Sequence, residues 1–163
     1  MRMLDLYPAG TRLVLGSATF SAEDIIRFAE KFDPQPFHVD AEAAKNYVFG
    51  ALCASGWHTC ACWMRCFVDF WRRETQRLAA EGIAPPSLGP SPGFAELQWL
   101  KPVYAGDVVS YLLTSLDSRP LASRPGLVLN TGLAEGFNQN GEPVLRFKSN
   151  ILEFLPEDDA SQP

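Results

Sequence analysis

The run from Ser55 to Glu81 limits the folds open to this chain more than any other stretch. It opens on a serine suited to capping, contains no proline and stops at Gly82, so it reads as one helix. At 1.5 Å per residue such a helix spans about 40 Å. Between Cys60 and Trp71 it is apolar almost all round, with Ala61, Cys62, Trp63, Met64, Cys66, Phe67, Val68, Phe70 and Trp71 falling on every face. A helix of that kind is expected to be wrapped by other protein, because one stripe cannot account for its apolar surface. Its continuation, Arg72-Arg73-Glu74-Thr75-Gln76-Arg77, is polar and predicts emergence into water. The tryptophans, phenylalanines and methionine read as core rather than as a ligand box.

Strands supply the wrapping. Residues 11–20 predict a first strand. Four more follow the helix, at 94–100, 107–116, 127–137 and 144–155. Lys101-Pro102 ends the second strand, and Ala105-Gly106 turns the chain into the third. Asn140-Gly141 is a hairpin signal between the last two. In the last strand Leu145, Phe147, Ser149 and Ile151 share a face, opposite Val144, Arg146, Lys148 and Asn150. Residues 83–93 carry Pro85, Pro86, Pro90, Pro92, Gly89 and Gly93 and read as a loop rather than a domain boundary. The pattern predicts an α+β fold, an antiparallel sheet on a helix, with one domain over 1–156 and an acidic, disordered tail over 157–163.

Composition removes several classes of function. The chain has 163 residues, 47% hydrophobic and 20% charged, which suits one globular core. A net charge of −5 argues against nucleic-acid binding, which calls for a basic face. No apolar run approaches the ~18 residues of a membrane span, and the N-terminus lacks the apolar core of a signal peptide. Cys53, Cys60, Cys62 and Cys66 crowd one short region with no Cys-x-x-Cys pair. One helix cannot easily bridge them as disulfides, so they read as buried thiols in a reduced cytoplasm, with no metal site.

Ahead of the long helix lies a segment built for presentation. Ser21 caps a helix with Asp24 at N3, and Ile25, Phe28, Ala29 and Phe32 form its apolar face. Pro34 forbids that helix to continue. Phe32-Asp33-Pro34-Gln35-Pro36-Phe37-His38-Val39-Asp40 then predicts a stiff, extended overhang offering Asp33 and His38 side by side. Proton transfer needs groups placed within about 3 Å, and prolines make such placement reproducible. Asp40 reads as the N-cap of a short helix over 41–47. Gly56 begins the long helix, where unpaired N–H groups and the positive dipole end suit an oxyanion. A glycine there equally permits tight packing against the overhang, and the local residues leave both readings open. Ser55 reads as an N-cap and His58 as a core histidine with its hydrogen bonds met.

Asp33, His38 and Phe49-Gly50-Ala51-Leu52-Cys53-Ala54-Ser55-Gly56-Trp57-His58, taken together, resemble the MaoC-like dehydratases, which include the (R)-specific enoyl-CoA hydratases. The likeness extends over about residues 10–155, and Gln98-Trp99-Leu100-Lys101-Pro102-Val103 with Gly106-Asp107 belongs to it. It implies the hot-dog fold, with 55–81 as the central helix, and pairing into a homodimer or a higher even-numbered oligomer. It implies hydration or dehydration of an acyl-CoA, with coenzyme A entering only as part of the substrate thioester and with no metal or redox cofactor. Asp33 and His38 become the catalytic pair, the Gly56 N–H the oxyanion donor, and Phe37, Phe49, Ser55 and Trp57 the substrate contacts. Lys101, Arg119 and Arg124 are weaker candidates for the phosphates. Gly50-Ala51 departs from the family's frequent Phe-Gly-Gly, which bears on chain-length preference. A hot-dog thioesterase and a non-catalytic acyl-CoA-binding subunit are the alternatives.

Overall fold

Six strands curl around one side of a long helix. The computed structural model describes residues 1–156; the expected acidic tail lies outside them. In chain order the elements are α1 (Met3–Leu6), β1 (Arg12–Thr19), α2 (Ala22–Phe32), α3 (Pro36–Val39), α4 (Ala41–Ala44), α5 (Gly56–Ala80), β2 (Ser87–Leu88), β3 (Gly93–Trp99), β4 (Val108–Pro120), β5 (Leu127–Phe137) and β6 (Pro143–Phe154). The sheet runs β1-β4-β5-β6-β2, antiparallel throughout, with β3 also on β6. This is the hot-dog arrangement. No helix among the described residues is long and apolar enough to cross a membrane.

The core lies between α5 and the concave face of the sheet. Thr59, Trp63, Phe67 and Trp71 recur every fourth residue and are buried. They meet the inward positions of β4, Val109, Tyr111 and Leu113, which alternate as a half-buried strand requires. Two polar atoms inside this contact are answered, while the Trp71 indole N–H is buried without a partner among the described residues. The Trp63 indole N–H donates to the Leu112 carbonyl at 3.2 Å, and the Tyr111 hydroxyl donates to the Thr59 carbonyl at 3.0 Å. Phe147 of β6 stands edge-on to Trp63 at 4.9 Å. Leu145 shares the buried face of β6, as expected. Val144 is buried as well, although the alternation puts it on the outer face. The register of β5 and β6 shifts at Gly136/Phe137, beside this end of the strand.

Several expectations change. The helix is not wrapped on all sides: Trp57, Ala61, Met64 and Val68, at i, i+4, i+7 and i+11, form an exposed apolar stripe. A curled sheet covers only one side of a helix, and α2 covers only part of the rest. The overhang is not extended throughout, because Pro36–Val39 makes a full helical turn. Pro36 sits at N1, where its missing N–H removes no helical bond. The helix expected over 41–47 ends at Ala44, although Asp40 caps it as foreseen through bonds from the Glu42 and Ala43 N–H groups. The proline-rich loop contains β2, whose Ser87 and Leu88 pair with Phe154 and Glu153. Helix α1 also lay outside the sequence reading. It is anchored by buried Glu153, which accepts from the Met3 N–H at 2.9 Å and from Asn130 Nδ2 at 2.8 Å.

Candidate active site

Asp33 and His38 are brought together by two helix ends. Asp33 is the C-cap of α2, and its N–H donates to the Ala29 carbonyl. One proline later the chain re-enters a helical turn, and His38 points inward from it with 6% of its surface exposed. Residues 52–54 run past as a stitch. The Cys53 N–H donates to the Phe37 carbonyl at 3.2 Å, the Ala54 N–H to Val103 at 2.8 Å, and Cys53 pairs with Tyr104. The stitch leaves the Cys53 carbonyl 2.6 Å from His38 Nδ1. A carbonyl only accepts, so a proton sits on Nδ1.

The His38 Nε2 lies 3.4 Å from Asp33 Oδ2. Asp33 is held in turn by Gln35, whose amide Nε2 donates to Oδ1 at 2.7 Å. Burial alone would raise the Asp33 pKa; the Ser55 hydroxyl, the Gln35 amide and nearby His38 outweigh burial and leave it below the usual range. Asp33 is therefore a carboxylate near neutral pH. With the imidazole neutral, its Nε2 and the carboxylate are two proton acceptors converging on one point, an arrangement suited to a water or a hydroxyl donating to both.

The pair opens on a cavity of about 440 Å³. Phe32, Phe37 and Phe49 line it, as do Trp57, Trp99 and Leu100, while buried Val103, Val144 and Thr59 also face it. Gly56, at N1 of α5, lines it too, and among the described residues no acceptor bonds its N–H. The glycine is required by packing: a Cβ there would fall 2.5 Å from both Cδ2 and Nε1 of Trp99. Trp99 is steadied by Trp57, edge-on at 5.1 Å. Gly56 is thus packed tightly, but against Trp99 of β3 rather than against the overhang, and its free N–H coexists with that packing.

The other expected residues fall as follows. Phe37, Phe49 and Trp57 line the cavity, but Ser55 is buried behind its wall. Ser55 caps α5 by accepting from the Trp57 N–H at 3.3 Å and favours the Asp33 carboxylate. Gly50 adopts a φ of +68°, the left-handed region that glycine tolerates best. Lys101 lines the mouth in an ion pair with Glu142, whereas Arg119 and Arg124 do not line the cavity. Burial raises the thiol pKa of all four cysteines, Cys53 and Cys62 to about 11, which suppresses nucleophilic thiolate. Among the described residues no three His, Cys, Asp or Glu side chains converge as metal ligands. His58 is not a core histidine with its hydrogen bonds met, because its buried Nδ1 has no partner among the described residues. Sequence reasoning passed over Gln35 and Trp99 as site residues. Gln35 was legible inside the motif, while nothing local marks Trp99.

The chain resembles known proteins over most of its length. The family model for the MaoC like domain matches residues 8–126. An uncharacterized protein of Bacillus subtilis, YdeM, is 28% identical over 149 residues, covering 91% of this chain and 96% of that protein. The crystal structure of a MaoC-like dehydratase from Rhodospirillum rubrum superposes with a TM-score of 0.77 at 34% identity, covering 94% of this chain and 97% of the other. The (R)-hydratase from A. caviae involved in PHA biosynthesis shares the fold, with a TM-score of 0.60 at 19% identity, covering 91% of this chain and 96% of the other.

Proposed function

The chain belongs to the MaoC-like domain family, and on that premise we propose that it hydrates 2-enoyl thioesters of coenzyme A and dehydrates the corresponding 3-hydroxyacyl thioesters. The observation that carries the reading is the approach of His38 Nε2 and Asp33 Oδ2 on a cavity that also contains the free Gly56 N–H. In hydration the pair removes a proton from one water as its oxygen bonds to C3. A proton is returned to C2, so the elements of water are added and no other reactant is consumed. The imidazole and carboxylate share the base and acid roles. The thioester oxygen gains negative charge as the enolate forms, and the Gly56 N–H with the dipole of α5 stabilises it. Phe37, Phe49 and Trp57 pack against the substrate, and Ser55 acts from behind by holding Asp33.

The test is a panel of enoyl-CoA esters followed by loss of the conjugated-thioester absorbance, with free thiol measured in parallel. Absorbance loss without thiol release is expected. Thiol release would make the protein a thioesterase, and neither change with folded protein would favour a non-catalytic binding subunit.

The same reading includes a homodimer or a multiple of one, acting in the cytoplasm. The stripe of Trp57, Ala61, Met64 and Val68 and the outer edge of β3 both gain from cover. Light scattering at assay concentration is expected to give a dimer or larger; a stable monomer would sink this part.

A further inference from the structure

His58 has no part in the chemistry above, yet it sits two residues beyond Gly56. Its ring lies flat on Phe28 of α2, with centroids 4.5 Å apart and planes 5° from parallel, and edge-on to Phe20 at 4.9 Å. Phe28 leans on Phe32 at 5.0 Å, and Phe32 lines the cavity next to Asp33. Helix α2 meets α5 over a short stretch, and this aromatic run bridges the two helices. Polar contact does not explain the residue, since Nδ1 is buried without a hydrogen-bond partner among the described residues. Asp24 and Arg27 of α2 are the charged side chains near it. A ring held by its faces, with a hydrogen bond forgone, acts through shape.

What that shape controls follows from the caps. Asp33 ends α2 and Gly56 begins α5, so the distance between carboxylate and free N–H depends on how α2 seats on α5. We infer that His58 is a positioning residue: by stacking on Phe28 it seats α2 on α5 and so places the Asp33 carboxylate relative to His38 and Gly56. The inference rests on the hydratase reading only for its activity readout.

Two variants test it, His58→Phe and His58→Ala. The chain has two histidines, so either variant leaves His38 as the sole histidine and its ring resonances are unambiguous. Those resonances respond to movement of Asp33, 3.4 Å away. In His58→Phe they are expected to overlay on the His38 signals of the wild type. In His58→Ala they are expected to be displaced or broadened. If His58→Ala does not fold, His58→Leu and Phe28→Leu keep bulk, remove the flat face and are expected to displace the same signals. Against enoyl-CoA, kcat should fall about tenfold or more in His58→Ala with KM within about threefold, because ångström-scale misplacement affects the transition state most. His58→Phe should recover most of that loss. Unmoved His38 signals in His58→Ala would overturn the inference. So would a His58→Phe protein as impaired as His58→Ala, since the imidazole itself would then be required. If the wild type hydrates nothing, the hydratase reading fails, while the resonance comparison still decides the positioning role.

Discussion

The two histidines occupy opposite surroundings. Around His38 the polar groups are answered: Nδ1 meets the Cys53 carbonyl, Nε2 faces Asp33, and Asp33 is steadied by Gln35, with the Ser55 hydroxyl favouring its carboxylate form. Around His58 the neighbours are aromatic rings, and one ring nitrogen is buried without a partner among the described residues. Residue type alone did not separate them. A histidine is prepared for proton transfer when one nitrogen is tied down and the other is left to the cavity. Without the tie, the same ring is a flat packing element.

The largest effect that would break this comparison is at the His38 end. Asp33→Asn and His38→Gln are each expected to lower hydration by about 10²–10⁴, the range for a lost acid–base group. The double variant should be little worse than either single, because residues acting on one water are non-additive. Near-full activity in the singles would make the pair structural. The overhang is not wholly exposed loop, as it looks from sequence, so His38→Gln also carries a stability cost. His38 is buried, and disturbing its bond to the Cys53 carbonyl costs about 1–3 kcal/mol. Circular dichroism and denaturant midpoints separate that cost from lost catalysis.

Next in size are changes at Gly56. Gly56→Pro removes the free N–H at a helix position that tolerates proline and should cost about 10²–10³ in rate, or roughly 3–4 kcal/mol. Gly56→Ala keeps the N–H but drives a methyl into Trp99. Adding Trp99→Gly should relieve the alanine variant and leave the proline variant impaired. Equal relief of both in a steady-state assay would remove the N–H from the mechanism.

The smallest effects are in stability against pH. His58 has a lowered pKa, from burial first, so the folded state keeps it neutral below its ordinary value of 6.5. The unfolded chain binds the proton first, and stability present above about pH 6.5 is lost as pH falls toward the lower folded value. Asp33, lowered as well, behaves likewise in a more acidic window, from its ordinary 3.8 downward. His58→Phe should abolish the upper decline and spare the lower one; Asp33→Asn should spare the upper decline and lessen the lower one, to which Glu74, lowered as well, also contributes. Denaturant midpoints collected across pH 3–8 check this, and an unchanged upper decline in His58→Phe would mean that His58 is not its source.

The amino-acid sequence determined whatever depends on neighbours within a turn or two. Ser55 and Gly82 bracket α5, Ser21 caps α2, Pro34 ends it, Asp40 caps α4, and Gly141, at φ +75°, turns β5 into β6. Asp33 and His38 were legible as a pair because prolines stiffen the few residues between them. Tertiary structure alone decided which partners those residues meet. The Cys53 carbonyl that holds Nδ1 of His38, the Trp99 indole that demands a glycine at position 56, the Phe28 face under His58 and the Glu153 anchor of α1 all lie far away in sequence. Such contacts are set by strand register and by the curl of the sheet around α5, which sum over many residues and leave no local mark. The sequence pattern also made α5 apolar on every face, but only the fold decided which face the sheet covers and which stripe stays open.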